Sequence, residues 1–372
     1  MIFVLAPIIP LVLLGLTIVV IVFGAKAAVS GDGKAEDVAS HDGVEIAKSA
    51  GIHVGLFLAM IAGAVGIIDL LQSIVEDQRI AGANPDVARG LALLIVGGPV
   101  FVLLLRLVSK RYADRSTTGD TKAHLGWSIY LVAALSVTLI AWLVGTAKVA
   151  DKLTSSTSDF RPEELMQLIG WLGVWLVHWF VLRPQFGVRS VYHLAVGSII
   201  GLGWLVVGVG AVGNRILVDA YQSALSEPLT RSYGVTYWVV IALAGAVVWG
   251  WHWHAHLNTV SGVEGDARRS SPWFFVVVVA GVLPGLISMV VAATTIVISL
   301  LIWVVGTTEE KAVDFFIPSV ALISVFLVGL VSWAYHRWEL QRGGLVERNE
   351  SLRFHDYVVL AVAWSVLWER WP

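Results

Sequence analysis

The sequence contains no cysteine and few charged residues. Without cysteine, the chain can form neither a disulfide nor a thiolate metal site, and no thiol can act as a nucleophile. Charged residues make up 14% of the chain, whereas a typical soluble domain carries about 25%. The formal net charge of −2 gives no basic surface of the kind that binds nucleic acids, so no nucleic-acid partner is expected.

The short motifs of soluble enzymes are also absent. The sequence has no phosphate-binding loop ending in Gly-Lys-Ser/Thr, no HExxH and no Gly-x-Ser-x-Gly. No apolar run carries a central Asp, Glu, Lys or Arg, which are the groups that ion-coupled transporters place within the membrane. The chain is therefore predicted not to be an enzyme, and ion coupling is not favoured.

Long apolar runs fill most of the chain instead, and hydrophobic residues make up 57% of it. A spanning helix needs about 20 apolar residues and satisfies its own backbone hydrogen bonds, whereas barrel strands alternate polar and apolar residues. The sequence predicts an all-α, polytopic integral membrane protein of about ten helices, tandem helical hairpins, with the lipid bilayer as a partner. The apolar segments lie at 2–25, 51–72, 88–108, 126–147, 165–183, 191–213, 235–253, 273–305, 316–335 and, in part, 357–368.

The first segment, residues 1–25, has two interpretations. Ala25-Lys26-Ala27 resembles the small-x-small site at which a signal peptide is cleaved. However, no basic residue precedes the run, and the run is longer than an ordinary signal sequence. A retained N-terminal transmembrane helix is the prediction, and a cleaved signal peptide is the alternative. Residues 26–50 predict a polar loop or a brief surface helix.

An aromatic residue followed three positions later by histidine recurs near the ends of alternate helices. The aromatic residues are spaced by 74, 74 and 84 positions, and such internal similarity marks a repeat architecture. The pairs are Phe101 and Leu104, Trp175 and His178, Trp249 and His252, and Trp333 and His336. The predicted units are hairpin repeats at 51–112, 124–186, 190–257 and 272–340, with an incomplete fifth repeat at 353–372. The incomplete repeat predicts that the chain is a piece of a longer protein, and a short natural C-terminus is the alternative.

The hairpin arrangement fixes which loops share a membrane side. The loops at the hairpin openings, which we call side X, carry 16 of the 25 Lys and Arg residues, and the other side carries 9. Basic residues favour the cytoplasmic side, so side X is predicted to be cytoplasmic and the N-terminus to lie outside.

All ten histidines fall on side X and have three interpretations. In the first, imidazole rings anchor the helices at the membrane interface, together with Trp and Arg side chains. In the second, His252 and His256 bind a metal ion, because residues four apart share one helical face. In the third, a tetrapyrrole is held by helix-entry and helix-exit histidines, for example His193 with His252. The candidate ligands for such a cofactor are His178, His193, His252 and His336, and no cofactor at all is the prediction preferred.

Glycine and proline mark two further features. Gly197-Ser-Ile-Ile-Gly201 and Gly281-Val-Leu-Pro-Gly285 are small-xxx-small stretches, which predict close helix packing. Pro284 is expected to kink the long eighth segment, and a broken helix can mark a transporter site.

The hairpin endings "PVFVLLLR", "GVWLVHWF" and "GLVSWAYHRW", with the entries "SVYHLAVG" and "WSIYLVAA", resemble an uncharacterised family of bacterial multi-pass membrane proteins. The resemblance covers roughly residues 50 to 372, and Leu104 departs from its aromatic-x-x-His ending. It implies an integral membrane location in a bacterial cytoplasmic membrane and transfers no catalytic residue. The family is catalogued as a domain of unknown function.

Taken with the residues, this resemblance favours a non-enzymatic scaffold or accessory subunit that binds other membrane-protein subunits. One alternative is a haem- or chlorin-binding subunit that uses the side X histidines in electron transfer or pigment binding. The other is a transporter with a broken helix at Pro284.

Overall fold

A computed structural model describes eight helices. They are α1 (Ala39–Val75), α2 (Pro85–Ser116), α3 (Lys122–Thr154), α4, α5 (Tyr192–Ala224), α6 (Val235–Ser261), α7 and α8 (Ala312–Arg342). Helix α4 is α-helical over Pro162–Val177, π-helical over His178–Leu182 and α-helical over Arg183–Gln185. Helix α7 is π-helical over Phe275–Val282 and α-helical over Leu283–Val305. The described residues are 39–75, 85–116, 122–154, 162–185, 192–225, 234–261, 273, 275–306 and 311–342.

The predicted all-α class is confirmed, since no strand occurs in these ranges. All eight helices are long and apolar enough to cross a membrane. They correspond to eight of the ten predicted segments, and the remaining two, at 2–25 and 357–368, lie outside the described residues. Helix α1 begins at Ala39, inside the stretch predicted to be a polar loop or brief surface helix.

The helices form two units. The first unit comprises the described parts of Met1–Val149 and Asp159–Val196, and the second comprises those of Ala150–Ser158 and Gly197–Pro372. In the first unit, α1 packs against both α2 and α4. Its core is apolar and draws on all four of its helices. The buried members of this core cluster are Leu56, Met60, Val108, Trp127, Tyr130, Leu131, Ala134 and Leu182.

In the second unit, glycines bring helix backbones together. A Cβ atom added at Gly285 of α7 would lie 2.7 Å from the backbone nitrogen of Trp333 on α8. One added at Gly201 of α5 would overlap the backbone of Trp249 on α6. Because such approaches leave no room for a side chain, both small-xxx-small stretches are packing faces, as predicted.

One ion pair joins α1 to α2 in the first unit. The Nε atom of Arg89 lies 2.9 Å from Oδ2 of Asp69. Asp69 is buried, whereas the guanidinium is largely exposed and also reaches Asp86 at 3.2 Å. The arginine therefore neutralises the acidic side chain that lies well inside an apolar run.

Helix α7 continues through Pro284. The π-helical part ends at Val282 and the α-helical part begins at Leu283, so Pro284 occupies the first turn of the α-helical part. Proline is tolerated there because its missing N–H is not needed by an α-helical partner. A change of helix type thus lies next to Pro284, and the kink expected there stays a prediction.

Candidate functional site

Three of the recurring histidines make the same hydrogen bond. The Nδ1 atoms of His178, His252 and His336 each lie 2.8 Å from the carbonyl oxygen of the residue four positions earlier. A carbonyl oxygen only accepts hydrogen bonds, so Nδ1 must carry the hydrogen. In the neutral imidazole, Nε2 then carries the lone pair. The chain thus fixes both the orientation and the tautomer of each ring.

Glycines of other helices face several of the buried imidazole rings. A Cβ atom at Gly197 would overlap the imidazole of His252, and one at Gly281 would overlap that of His336. In the first unit, a Cβ at Gly126 would lie 2.6 Å from Cε1 of His53. Glycine leaves space that the flat ring fills, so these imidazoles serve as packing elements between helices.

The first repeat carries leucine in place of this histidine. Leu104 of α2 meets Gly55 of α1, where an added Cβ would lie 3.3 Å from its Cδ1. The pairs Gly55 with Leu104 and Gly197 with His252 therefore occupy corresponding places in the two units. An apolar side chain can replace the imidazole at this contact.

His178 in the first unit is fully hydrogen-bonded. The hydroxyl of Tyr130 lies 2.9 Å from its Nε2 and donates to it, because Nε2 carries the lone pair. The indole of Trp127 stacks on Tyr130 with ring centroids 5.0 Å apart. All three side chains are buried in the apolar core of the unit.

We expect Tyr130→Phe to lower the free energy of unfolding by about 1–3 kcal/mol. The substitution keeps the ring but leaves the buried Nε2 of His178 without its donor. Thermal unfolding in detergent, followed by circular dichroism, measures the change. A variant as stable as the wild type would contradict the hydrogen bond between these two side chains.

The second unit, in contrast, buries three polar side chains. Ser198, His256 and His336 are at most 2% exposed there. The Oγ atom of Ser198, both ring nitrogens of His256 and the Nε2 atom of His336 have no hydrogen-bond partner within the described part of the chain. His256 stacks on Trp253 with centroids 6.3 Å apart, and the edge of Trp253 meets His336 at 6.1 Å. Two imidazoles thus contact one indole.

The sequence profile of a family described as a domain of unknown function (DUF5671) matches residues 50–181 and 192–331. The chain belongs to the DUF5671 family. Each match takes in four of the described helices, α1 to α4 in the first and α5 to α8 in the second. No curated protein and no solved structure matches the chain significantly.

In this DUF5671 protein, the histidines named as cofactor ligands lie in both units. His178 and His193 belong to the first unit, and His252 and His336 belong to the second. His193 is buried and meets Trp179 edge-on at 5.7 Å. The predicted pairing of His193 with His252 in a tetrapyrrole site stays a prediction.

A guanidinium also lies over the ring of Trp179. Arg183 lies 4.5 Å from the ring centroid of Trp179, within reach of a cation–π interaction. Partial burial lowers the pKa of Arg183 from its ordinary value, and the side chain stays protonated, since arginine retains its proton in proteins.

The proposed metal ligands His252 and His256 are both buried on α6, while His254 between them is exposed and hydrogen-bonds Asn258 at 2.9 Å. No three His, Asp or Glu side chains within the described ranges are placed to share a metal ion. Nδ1 of His252 is engaged by the Val248 carbonyl. The metal site therefore stays a prediction that rests on two side chains.

The structure shows protein contacts for the histidines, whose depth in the membrane stays a prediction. His178, His193, His252, His256 and His336 are buried inside the protein, since each meets a helix or an aromatic ring that covers it. The side chains of Trp251 and Trp338, by contrast, are exposed. Helical periodicity failed to separate the two groups because apolar residues surround these helices on every side.

Sequence reasoning also missed Tyr130, Ser198 and Trp253. Gly197 and Gly281 were recognised as packing residues, but their histidine partners were not. The available signal was the repeat itself, because aligning the hairpins places a small residue or an aromatic one opposite each recurring histidine.

Proposed function

We propose that this chain is a non-enzymatic integral membrane protein that serves as a scaffold or accessory subunit of a membrane assembly. The observation that carries the proposal is the use of the recurring imidazoles in helix packing. Their Nδ1 atoms bond to their own helices, and glycine or tyrosine of a neighbouring helix meets the ring. The recurring histidines, which were the strongest candidates for a reactive site in the sequence, thus contribute to helix packing.

The outward faces of two helices support the same proposal. Only 11% of the most apolar stretch of α2 and 17% of that of α8 is buried, the lowest values of the eight described helices. Ile95 and Leu103 on α2 and Val331 on α8 are exposed. Such faces suit contact with lipid and with apolar helices of other subunits.

The proposal extends to location and orientation. We place the chain in a bacterial cytoplasmic membrane, with side X in the cytoplasm and the N-terminus outside. The excess of Lys and Arg on side X supports this orientation. Accessibility of single introduced cysteines to a membrane-impermeant reagent tests it, because the chain has no cysteine of its own.

Photo-crosslinking in the native membrane tests the scaffold role. A photoreactive residue replaces exposed Ile95 in one variant and exposed Val331 in another, and buried Leu56 provides the matched control. We expect at least one exposed position to yield a discrete protein adduct that the control lacks. If both exposed positions crosslink to lipid alone, the scaffold proposal fails.

A tetrapyrrole-binding subunit is a second candidate, and one observation favours it. Fixing Nδ1 on a carbonyl of its own helix leaves Nε2 free to act as a ligand, which is how ligating histidines are commonly held. Nε2 of the buried His336 has no partner within the described residues. The visible absorption spectrum of protein purified from its native membrane decides between the two. A stoichiometric Soret or chlorin band lost in His336→Phe would replace the scaffold proposal, and a blank spectrum would remove the candidate.

The transporter alternative rests on Pro284, through which α7 continues as one helix. Substrate-dependent thermal stabilisation that is absent from a Pro284→Ala variant would be its support.

A further inference from the structure

Arginine side chains lie over tryptophan rings near the side X ends of two helices. On α4 the Cζ atom of Arg183 lies 4.5 Å from the ring centroid of Trp179, and on α8 that of Arg342 lies 4.4 Å from the centroid of Trp338. In both pairs the arginine follows the tryptophan by four positions, so the two side chains share one face of the helix. Each guanidinium is therefore held in place before a ligand arrives, which lowers the ordering cost of binding.

The two arginines differ in their counter-charge. Nη1 of Arg342 lies 3.8 Å from Oε1 of the buried Glu339, which supplies a negative charge on the same helix. The guanidinium of Arg183 contacts neither a carboxylate nor another hydrogen-bond acceptor within the described part of the chain. Its N–H donors are thus not used by the described residues.

Partial burial makes this arrangement costly for Arg183. The side chain is half-buried, and burial lowers the pKa of Arg183, with no carboxylate of the described residues to raise it. A cation that loses hydration without gaining a counter-charge is destabilising. An anion that meets the guanidinium would offset this cost, whereas Arg342 already has Glu339 beside it.

Trp179 forms a fixed platform for the guanidinium. It is buried, stacks on Trp175 with ring centroids 5.0 Å apart, and meets His193 edge-on at 5.7 Å. The backbone N–H of Arg183 donates to the carbonyl oxygen of His178, five positions earlier, in the π-helical turn. Single π-helical turns are frequent at functional sites. The ring contacts and the turn together determine where the guanidinium lies.

The position of Arg183 along α4 indicates the kind of anion. The part of α4 that is apolar enough to cross a membrane ends at Leu182, so Arg183 directly follows it, at the depth of lipid headgroups. Phe180 and Val181, within one turn of Arg183, are 57% and 49% exposed and suit contact with acyl chains. The loops of side X carry 16 of the 25 Lys and Arg residues, and basic segments of this kind attract anionic lipids.

We propose that Arg183, held against Trp179, binds the phosphate group of an anionic phospholipid whose acyl chains lie along Phe180 and Val181. Arginine binds phosphate through two parallel N–H···O bonds, for which its planar fork is suited. A zwitterionic phospholipid is disfavoured, because the basic loops of side X repel its ammonium group. The proposal goes beyond the scaffold role, since the site needs only this chain and the bilayer.

Native mass spectrometry of the full chain, purified in detergent and supplied with one lipid at a time, tests the proposal. The probes are phosphatidylglycerol, which has a net negative charge, and zwitterionic phosphatidylcholine with the same acyl chains. We expect the wild type to prefer phosphatidylglycerol, and Arg183→Gln to bind that lipid about tenfold more weakly or worse, because charge-assisted hydrogen bonds are lost. Phosphatidylcholine should bind both proteins equally. Arg342→Gln is the matched control and should keep the preference, because Glu339 already pairs with Arg342.

Arg183→Lys provides a second variant that keeps the charge without the fork. It should bind phosphatidylglycerol more weakly than the wild type does, and it carries the comparison alone if Arg183→Gln does not fold. Circular dichroism of each variant without added lipid checks the fold. A preference for phosphatidylglycerol that is unchanged in the folded Arg183 variants would overturn the proposal. An equal loss in Arg342→Gln would also overturn it, because the preference would then reflect total charge alone.

Thermal unfolding separates a lipid from a free phosphate ion. Inorganic phosphate is added to the protein in detergent and compared with chloride at the same ionic strength. We expect phosphatidylglycerol to stabilise the wild type and inorganic phosphate not to, because a free ion lacks the acyl chains that contact Phe180 and Val181. If inorganic phosphate stabilises the wild type as much as the lipid does, and stabilises Arg183→Gln less, the site binds a free anion and the lipid assignment is wrong.

Discussion

Gly197→Ala is expected to unfold at a markedly lower temperature than the wild type. The added methyl group would overlap the buried imidazole of His252, so either the helices move apart or the ring gives up its hydrogen bond to the carbonyl of Val248. Overpacking of this kind costs about 1–3 kcal/mol and sometimes more. Thermal unfolding in detergent, followed by circular dichroism, measures the loss.

Gly203→Ala on the same helix is the matched control. No atom lies within 4 Å of a Cβ added at Gly203, and the residue is exposed. Alanine favours a helix over glycine by about 1 kcal/mol, so this variant should be as stable as the wild type or more so. The double variant Gly197→Ala/His252→Ala should recover part of the loss. Equal stability of the two single variants would mean that the imidazole does not pack on Gly197.

Trp127→Ala is expected to give the largest loss among single substitutions in the first unit. Trp127 is completely buried, belongs to the apolar core and stacks on Tyr130. Truncating a buried tryptophan removes its apolar contacts and leaves a cavity, at a cost of about 3–5 kcal/mol. The variant should also weaken the hydrogen bond of Tyr130 to His178, because the phenol loses the ring that supports it.

Trp338→Ala compares this buried tryptophan with an exposed one. Trp338 is 48% exposed and contacts the guanidinium of Arg342 at 4.4 Å. An exposed cation–π interaction contributes about 0.5–1 kcal/mol, so the loss should be several-fold smaller than for Trp127→Ala. Chemical denaturation of both variants in the same detergent compares them. Losses of similar size would contradict the difference in burial between the two tryptophans.

The hydrophobic runs were sufficient to predict the eight described helices. The predicted run at 235–253, for example, lies within α6, and the run at 165–183 lies within α4. This works because lipid forces each spanning segment to satisfy its own backbone, so that length and hydropathy alone identify it. The recurring aromatic-x-x-His ending was also found from its spacing, although the role of the histidine in helix packing was not predicted.

The packing of the histidines could not be predicted in the same way. Apolar residues surround His252 and His336 on all faces of their helices, so no hydrophobic periodicity indicates which face is buried. The π-helical turn at His178 has no sequence signature in the hydrophobic pattern either. The role of Tyr130 depends on a neighbouring helix 48 residues away in the chain, and a single sequence carries no record of that contact.

The π-helical turn at His178 also limits how the two units can be interchanged by engineering. Three residues after His178, Val181 faces outward, whereas Glu339 at the same offset from His336 is buried. A π turn closes one residue later than an α turn, which rotates the following side chains around the helix axis. A carboxylate grafted at Val181 would therefore point away from the core of the first unit. Burying a carboxylate at this offset in the first unit would require the deletion of one residue after His178 as well as the substitution itself.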